Sequence, residues 1–160
     1  VSTQLIEATG LVFTAAAASG PVQVLRGVDL RVDTGEAVGI VGPSGSGKTS
    51  LLMLLAGLER PTAGQLTVAG RALGALDEDA LARFRREEVG IVFQAFHLIP
   101  TMTAVENVAV PLEFAGRRDA FERAEAALKE VGLGHRLTHY PGQLSGGEQQ
   151  RVALARAVVA

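Results

Sequence analysis

Alternating apolar and polar positions near the start of the chain predict strands separated by turns. The alternation covers Gln4–Ala8 and Val24–Val32, with a bend at Arg26–Gly27 and a turn at Asp33–Gly35. Between the two strands, the alanine-rich residues from Phe13 to Pro21 show no period, and we expect a short loop there. The chain therefore begins with a β-rich portion.

Two continuous apolar runs predict strands that are buried on both faces. These runs are Ala37–Val41 and Val89–Phe93. A third segment, Gln65–Val68, predicts a strand that ends at a turn. Gln94 directly follows the second apolar run, and the end of a buried strand is where an α/β sheet places its ligand contacts.

The remaining elements are predicted to be helices. The first is Lys48–Ala56, ended by a glycine, and the second is Glu78–Glu87, capped by Asp77. Thr103 begins the third helix with a capping box, and Pro111 is expected to kink or divide it. A fourth helix carries an apolar stripe whose members are Phe121, Ala124, Leu128 and Val131.

One motif joins the first buried run to the first helix. It fits the phosphate-loop pattern GxxxxGK[ST], in which glycines let backbone amides turn toward a polyphosphate and the lysine adds a mobile positive charge. The alternative is a Gly/Ser turn with a chance lysine, but a strand is predicted before the motif and a helix after it. The residues of the motif are Gly42, Pro43, Ser44, Gly45, Ser46, Gly47, Lys48 and Thr49.

A second motif, LSGGEQQR at Leu144–Arg151, precedes the last predicted helix, which extends through Val159. Ser145 and Glu148 have the spacing of a capping box. A hydroxyl and glycine amides at the positive end of a helix dipole also form an anion site. The alternative is an ordinary capped helix with a flexible entry.

Composition narrows the classes of function. With 160 residues, of which 48% are hydrophobic, the chain can bury one sizeable core. The length predicts a single domain, and no linker is rich enough to divide the chain. A net charge of −2 without a basic run gives no reason to expect nucleic acid as a partner. Because the chain has no cysteine, disulfides and thiolate chemistry are excluded.

Together these motifs resemble the ATP-binding subunits of ABC transporters. The loop at Gly42–Thr49 is similar to their Walker A motif, Gln94 to their Q-loop glutamine, and LSGGEQQRVALARA at Leu144–Ala157 to their signature motif. The motifs occur in the family's order across nearly the whole chain. The segment Val89–Leu112 further resembles the subgroup that serves lipoprotein release and macrolide-type export.

The resemblance implies an α/β fold with a P-loop NTPase core. It implies an antiparallel β portion at the N-terminus, a core that lacks later strands, and a helical subdomain at the C-terminus. Residues 1–96 would form the β-rich and P-loop part of one ATP-binding domain, and residues 97–160 the helical subdomain with the signature motif.

The resemblance also implies the roles of the site residues. ATP would lie between the Walker A loop of one subunit and the signature helix of a second. Lys48 would hold the β- and γ-phosphates, and Thr49 and Gln94 would ligate Mg²⁺. Water would attack in line. Ser145, Gly146 and Gly147 would cap the γ-phosphate from the second subunit.

The implied partners are a membrane permease and a second ATP-binding subunit, which makes a homodimer one option. The region after Gln94 would touch the permease and couple closure around ATP to its motion. The subunit would therefore sit at the cytoplasmic face of the membrane as a peripheral protein.

The sequence departs from the family pattern at the adenine site. The family usually stacks an aromatic residue on the adenine where this chain has Ala15, and Phe13 is the candidate replacement because residues two apart share a strand face. The three histidines, His97, His135 and His139, lack partners at catalytic or zinc spacing and are expected at the surface.

The sequence also ends at Ala160, before the family's Walker B aspartate and catalytic glutamate. The fragment alone is therefore expected to bind nucleotide but to hydrolyse it negligibly, with Gln94 only a supporting residue, and the two apolar runs are expected to be exposed. The alternative is a non-catalytic interaction or regulatory fragment of an ABC complex. A DNA-repair or translation ATPase is less expected, because those usually carry insertions or paired units.

Overall fold

The computed structural model describes residues 4–18 and 20–159, and the chain forms two compact units, residues 1–85 and 86–160. The first unit contains a four-stranded antiparallel sheet with strand order β2-β1-β3-β4 and one helix that follows β2. A second helix begins after β4. The elements are β1 (Gln4–Ala17), β2 (Gly20–Asp33), α1 (Lys48–Leu55), β3 (Ala63–Val68), β4 (Arg71–Ala72) and α2 (Glu78–Glu88).

The hairpin of β1 and β2 is longer than predicted. Its ladder runs from Gln4 opposite Asp33 to Ala17 opposite Gly20. The expected loop at Phe13–Pro21 is therefore wrong, apart from the turn between the two strands. Ser19 lies outside the described residues. A partner strand supplies the pairing that decides β structure, and this overrides the weak β propensity of alanine.

The predicted bend at Arg26–Gly27 is a β-bulge inside β2. Val28 pairs with Leu11 and Arg26 pairs with Val12, so Gly27, with φ 85°, has no residue opposite it. The predicted turn after β2 is confirmed, since the Glu36 amide donates to the Asp33 carbonyl at 3.1 Å.

The two predicted buried strands do not form. Ala37–Val41 and Val89–Phe93 join no ladder in the part of the chain that the structure describes. The Val41 side chain is 92% exposed, and Val38 and Val92 are also exposed, as expected for unpaired runs. A β-branched run favours an extended backbone, but a strand needs a hydrogen-bonded neighbour.

The helices of the first unit follow their local signals. Leu51 and Leu54 of α1 are buried, and the helix ends where Gly57 adopts φ 67°. At the start of α2, the Asp77 carboxylate accepts from the Ala80 amide at 2.8 Å, which confirms the predicted cap. The buried residues of α2 are Leu81 and Phe84.

The second unit is a helical cluster. Its helices are α3 (Ala104–Phe114), α4 (Ala120–Glu130) and α5 (Gly146–Val158). Leu residues and small Val and Ala residues from all three form one core. The predicted capping boxes at Thr103 and Ser145 are both present.

Two details of the helical prediction are wrong. Pro111 lies inside one continuous α3, so the expected division of the helix is wrong, while a kink stays a prediction. On α4 the buried residues are Ala120, Ala124 and Leu128, while Phe121 is exposed. Phe121 has the spacing of the predicted stripe, but the buried position is that of Ala120, one residue earlier.

Asn107 is the buried polar residue of this core. Its Oδ1 accepts from the Ile99 amide at 2.7 Å, and its Nδ2 lies 3.1 Å from the Ile99 carbonyl, 3.0 Å from that of Met102 and 3.0 Å from that of Thr103. The side chain therefore closes the loop that leads into α3. Sequence reasoning missed it, because the partners lie in an irregular segment.

Candidate functional site

The loop at Gly42–Gly47 connects the unpaired run after β2 to α1, and residues 42–46 are exposed. Gly47 is the N-cap of α1, with φ 89°, and a Cβ built there would lie 2.9 Å from Leu25 Cδ2 and 3.1 Å from Val24 Cγ1. A side chain at this position would therefore be strained and would also push α1 away from β2. Gly45 likewise has φ 78°, in open space.

The Lys48 ammonium group is folded back over the loop. Its Nζ donates to the carbonyl of Gly42 at 2.8 Å and to that of Pro43 at 2.6 Å, with Ser46 Oγ at 3.4 Å. The loop thus closes around its own lysine. Thr49, the next residue of α1, is exposed with its hydroxyl at the same helix end.

The N-terminus of α1 breaks the usual capping rules. Gly47 supplies no side-chain cap, the first turn has no acidic residue, and Lys48 places a positive charge at the positive end of the helix dipole. The orphan amides of the first turn and the lysine together attract an anion. Local rules fail in this way at functional sites.

The N-terminus of α5, in the helical unit, is the second candidate anion site, and Ser145, Gly146 and Gly147 are exposed there. Ser145 Oγ accepts from the Glu148 amide at 3.3 Å, and the Ser145 amide donates to Glu148 Oε2 at 2.8 Å. Cβ atoms built at Gly146 and Gly147 would meet nothing within 4 Å. The glycines therefore leave this helix end open to the close approach of a ligand.

The negative charge of the Glu148 carboxylate is paired with a neighbouring arginine. Arg136 Nε lies 3.1 Å from Glu148 Oε1. The pKa of Glu148 lies below its ordinary value, chiefly because the carboxylate accepts from the Ser145 backbone, with a further contribution from Arg136. Arg136 thus offsets a negative charge that would repel an anion at α5. Sequence reasoning missed Arg136, which is distant in the chain.

Gln149 fixes the segment before α5. Its Nε2 donates to the carbonyl of Pro141 at 3.0 Å and to that of Leu144 at 3.1 Å, while the Leu144 side chain is buried in the helical core. Ser145 therefore starts α5 at a position set by the core. The role of Gln149 could have been suspected only from its place in the motif.

Gln94 lies in an exposed turn of the second unit, where the Phe96 amide donates to the Phe93 carbonyl at 3.0 Å. The predicted strand before it is absent, so the expectation that Gln94 lies at the end of a buried strand is wrong. Thr49 and Lys48 belong to the first unit and Gln94 and Ser145 to the second, so joint ligation of Mg²⁺ or ATP stays a prediction.

The remaining candidates lie on the hairpin and in loops. Phe13 pairs with Leu25 in the ladder and is half-buried, and Ala15 is two residues along the same strand. A role for Phe13 at adenine stays a prediction. His97 and His135 are exposed as expected, whereas His139 is half-buried and its Nε2 lies 3.2 Å from the Arg136 guanidinium.

The fold and the glycine-rich loop that leads into α1 are those of a nucleotide-binding domain of the P-loop class, as predicted. The chain belongs to the ABC transporter family, which matches residues 25–160.

Named relatives give the comparison its detail. The chain is 56% identical over 142 residues to the lipoprotein-releasing system ATP-binding protein LolD 2 of Caulobacter vibrioides, a match that covers 88% of this chain and 62% of that protein. It is 53% identical over 140 residues to the macrolide export ATP-binding/permease protein MacB of Marinobacter nauticus, covering 86% of this chain and 22% of that protein. The predicted resemblance to this subgroup is confirmed, while the chain spans less than two thirds of either relative.

A solved structure agrees with the fold. The ATP-binding cassette MJ0796, a dimer in a post-hydrolysis state bound to ADP and Pi, superposes with a TM-score of 0.90 at 39% identity, covering 97% of this chain and 69% of that one. The predicted α/β fold class, with its antiparallel β portion and helical portion, is confirmed. Among the described residues, no helix is both long and apolar enough to cross a membrane.

Proposed function

We propose that this chain is part of the ATP-binding subunit of an ABC transporter, which uses ATP binding and hydrolysis to drive export or the extraction of lipoproteins from a membrane. The observation that carries the proposal is the start of α1, where an uncapped helix end meets the Lys48 ammonium group in an exposed glycine loop. A polyphosphate satisfies both the amides and the lysine.

The chemistry follows from these residues. The loop amides and Lys48 hold the β- and γ-phosphates and offset the negative charge that spreads over the transferred group. Thr49 and Gln94 carry neutral oxygen atoms, which suit Mg²⁺, a cation that would screen the phosphate charge when bound. Ser145 and Gly147 of a second subunit donate to the γ-phosphate and shield the attacking water.

The partner in this proposal is a membrane permease, with the subunit on the cytoplasmic face. The names of the relatives, a lipoprotein-releasing system protein and an export ATP-binding/permease protein, support this assignment. The segment after Gln94 is the proposed contact with the permease, because it forms no helix or strand up to Thr103 and exposes Ala95, His97 and Pro100.

The test of the nucleotide site is Lys48→Ala in the full-length protein. ATP affinity, measured by titration calorimetry, is expected to fall on the order of 10- to 100-fold, since charge-assisted hydrogen bonds contribute about 1.5–3 kcal/mol each. The matched control is Lys129→Ala, the other lysine of the chain, which is exposed on α4 beside Glu125. Equal affinity in the two variants would contradict the proposal.

A further inference from the structure

The side chain of Arg156, near the end of α5, reaches the segment that carries Gln94. Its Nη2 donates to the Phe96 carbonyl at 2.7 Å and its Nη1 to the His97 carbonyl at 2.9 Å. Both bonds come from one planar guanidinium group. Partial burial lowers the pKa of Arg156 from its usual value, so this cation is withdrawn from solvent to make these contacts.

The backbone that Arg156 holds is strained. Phe96 and His97 have φ of 60° and 48°, and a left-handed conformation costs an L-residue roughly 1–2 kcal/mol. The main hydrogen bonds within the turn are two: the Phe96 amide donates to the Phe93 carbonyl, and the His97 amide donates to the Ala95 carbonyl at 2.7 Å. Such a conformation persists when its surroundings determine it, and here the guanidinium group fixes both carbonyl directions.

The same end of α5 touches the segment at a second point. A Cβ built at Gly90 would lie on the carbonyl oxygen of Ala157, so only glycine permits this approach. Gln94 therefore lies between two attachments, Gly90 on Ala157 and the 96–97 carbonyls on Arg156. Consecutive residues of one helix hold both ends of the turn.

We propose that Arg156 is a positioning residue for Gln94. The proposal rests on the proposed function, in which Gln94 contributes to Mg²⁺ binding. It also makes α5 a common support, because its first turn carries Ser145 and its last turn holds the Gln94 segment. A helix of 13 residues spans about 20 Å, so a shift at one end is passed to the other along a stiff rod.

Arginine is required for this geometry. Two carbonyls of adjacent residues match the parallel N–H groups of a guanidinium fork, whereas a lysine ammonium on its flexible stem can hold one of them well. Arg156→Lys keeps the charge and removes the fork, and Arg156→Gln removes both.

The structural test is amide hydrogen exchange in the full-length protein. Arg156→Lys and Arg156→Gln are expected to speed exchange at the amides of residues 95–98 on the order of ten-fold. Arg123→Gln, an exposed arginine on α4, is the matched control and should leave exchange there unchanged. If exchange in the Arg156 variants equals that of the control, Arg156 does not hold the turn and the proposal is wrong.

The functional test is the Mg²⁺ dependence of ATP hydrolysis by the same proteins with their permease. Arg156→Lys is expected to raise the Mg²⁺ concentration for half-maximal rate several-fold, and to do so much less in a Gln94→Ala background. Faster exchange with an unchanged Mg²⁺ dependence would overturn the positioning role. Failure of Lys48→Ala to weaken ATP binding would instead defeat the proposed function, while the exchange measurement would still decide whether Arg156 holds the turn.

Discussion

At the scale of single residues, the helical unit depends on a few polar side chains with several partners each. Asn107 accepts one backbone bond and donates to backbone carbonyls, although it is fully buried. Glu148 joins the start of α5 to Arg136. Loss of the Asn107 side chain leaves several backbone groups unpaired, and loss of the Glu148 carboxylate leaves the Ser145 amide and Arg136 without this partner.

Removal of Asn107 should therefore destabilise the unit strongly. Asn107→Ala leaves the Ile99 amide and neighbouring carbonyls without their partner, and we expect a loss of about 2–4 kcal/mol in the free energy of unfolding. Urea denaturation would measure it. The exposed Glu130→Ala on α4 is the control, with an expected change within about 0.5 kcal/mol. A similar small change for Asn107→Ala would show that water replaces the side chain.

The lowered pKa of Glu148 gives the helical unit a pH dependence. A carboxylate whose pKa is lower in the folded state than in the unfolded state stabilises the fold at pH values above its ordinary pKa. This stabilisation is lost as the pH falls through the pKa of the folded state. We expect stability to decrease as the pH drops below the ordinary value of 4.5. Glu106, whose pKa is lowered chiefly by the Thr103 backbone, adds to the effect.

Thermal unfolding from pH 7 to pH 3 checks this expectation. Glu148→Gln should flatten the acid part of the profile, because a neutral amide does not titrate. Glu130→Gln should leave the profile as it is. Identical slopes for the wild type and Glu148→Gln would contradict the assignment of this carboxylate.

At the scale of elements, helix ends were predictable, whereas strands were predictable only in part. The predicted segments Gln4–Ala8, Val24–Val32 and Gln65–Val68 lie within β1, β2 and β3, but the full extent of the pairing was not foreseen. Caps and glycine stops act within four residues, so Asp77, Thr103 and Ser145 could be identified in the sequence as the starts of helices. A segment forms a strand only where another segment lies opposite it and forms hydrogen bonds with it. The alanine-rich residues after Phe13 pair with β2 without any local signal, and the β-branched run Val89–Phe93 stays unpaired despite a strong one.

The glycine that ends α1 should be sensitive to substitution. Gly57 has φ 67°, and a Cβ built there would lie 3.3 Å from Leu81 and 3.3 Å from Phe84 of α2. Gly57→Ala is expected to lose about 1–2 kcal/mol of stability from the backbone alone, measured by urea denaturation. Gly74→Ala, where a Cβ meets nothing and φ is ordinary, should change little. Equal losses would refute the role of the left-handed cap.

At the scale of the whole molecule, the two candidate anion sites were predictable from the sequence, but the side chains that support them were not. The phosphate loop and the Ser145 motif were predictable because their spacing is local. The supporting side chains were not, because Arg136 is 12 residues from Glu148 and Arg156 is 59 residues from His97. Tertiary packing brings such residues together, and the local sequence around each of them does not show it.

A mixing experiment tests the proposed dimer. Lys48→Ala disables the loop and Ser145→Arg disables the α5 end, so a homodimer of either full-length variant has no intact composite site. A mixed dimer keeps one site, formed by the intact loop of one copy and the intact α5 of the other. We expect mixing to restore up to about a quarter of wild-type ATP turnover, since half of the dimers are mixed and each has one of two sites. No recovery, with dimers confirmed by light scattering, would contradict the shared site.

The hydrogen bonds between Lys48 and its own loop also determine which ligands bind poorly at this loop. Any ligand must replace the bonds from Lys48 to the Gly42 and Pro43 carbonyls, and a small anion offers too few contacts to compensate for them. A polyphosphate chain engages the lysine and several amides at once. Inorganic phosphate or a nucleoside monophosphate should therefore compete poorly with ATP, even where either is abundant.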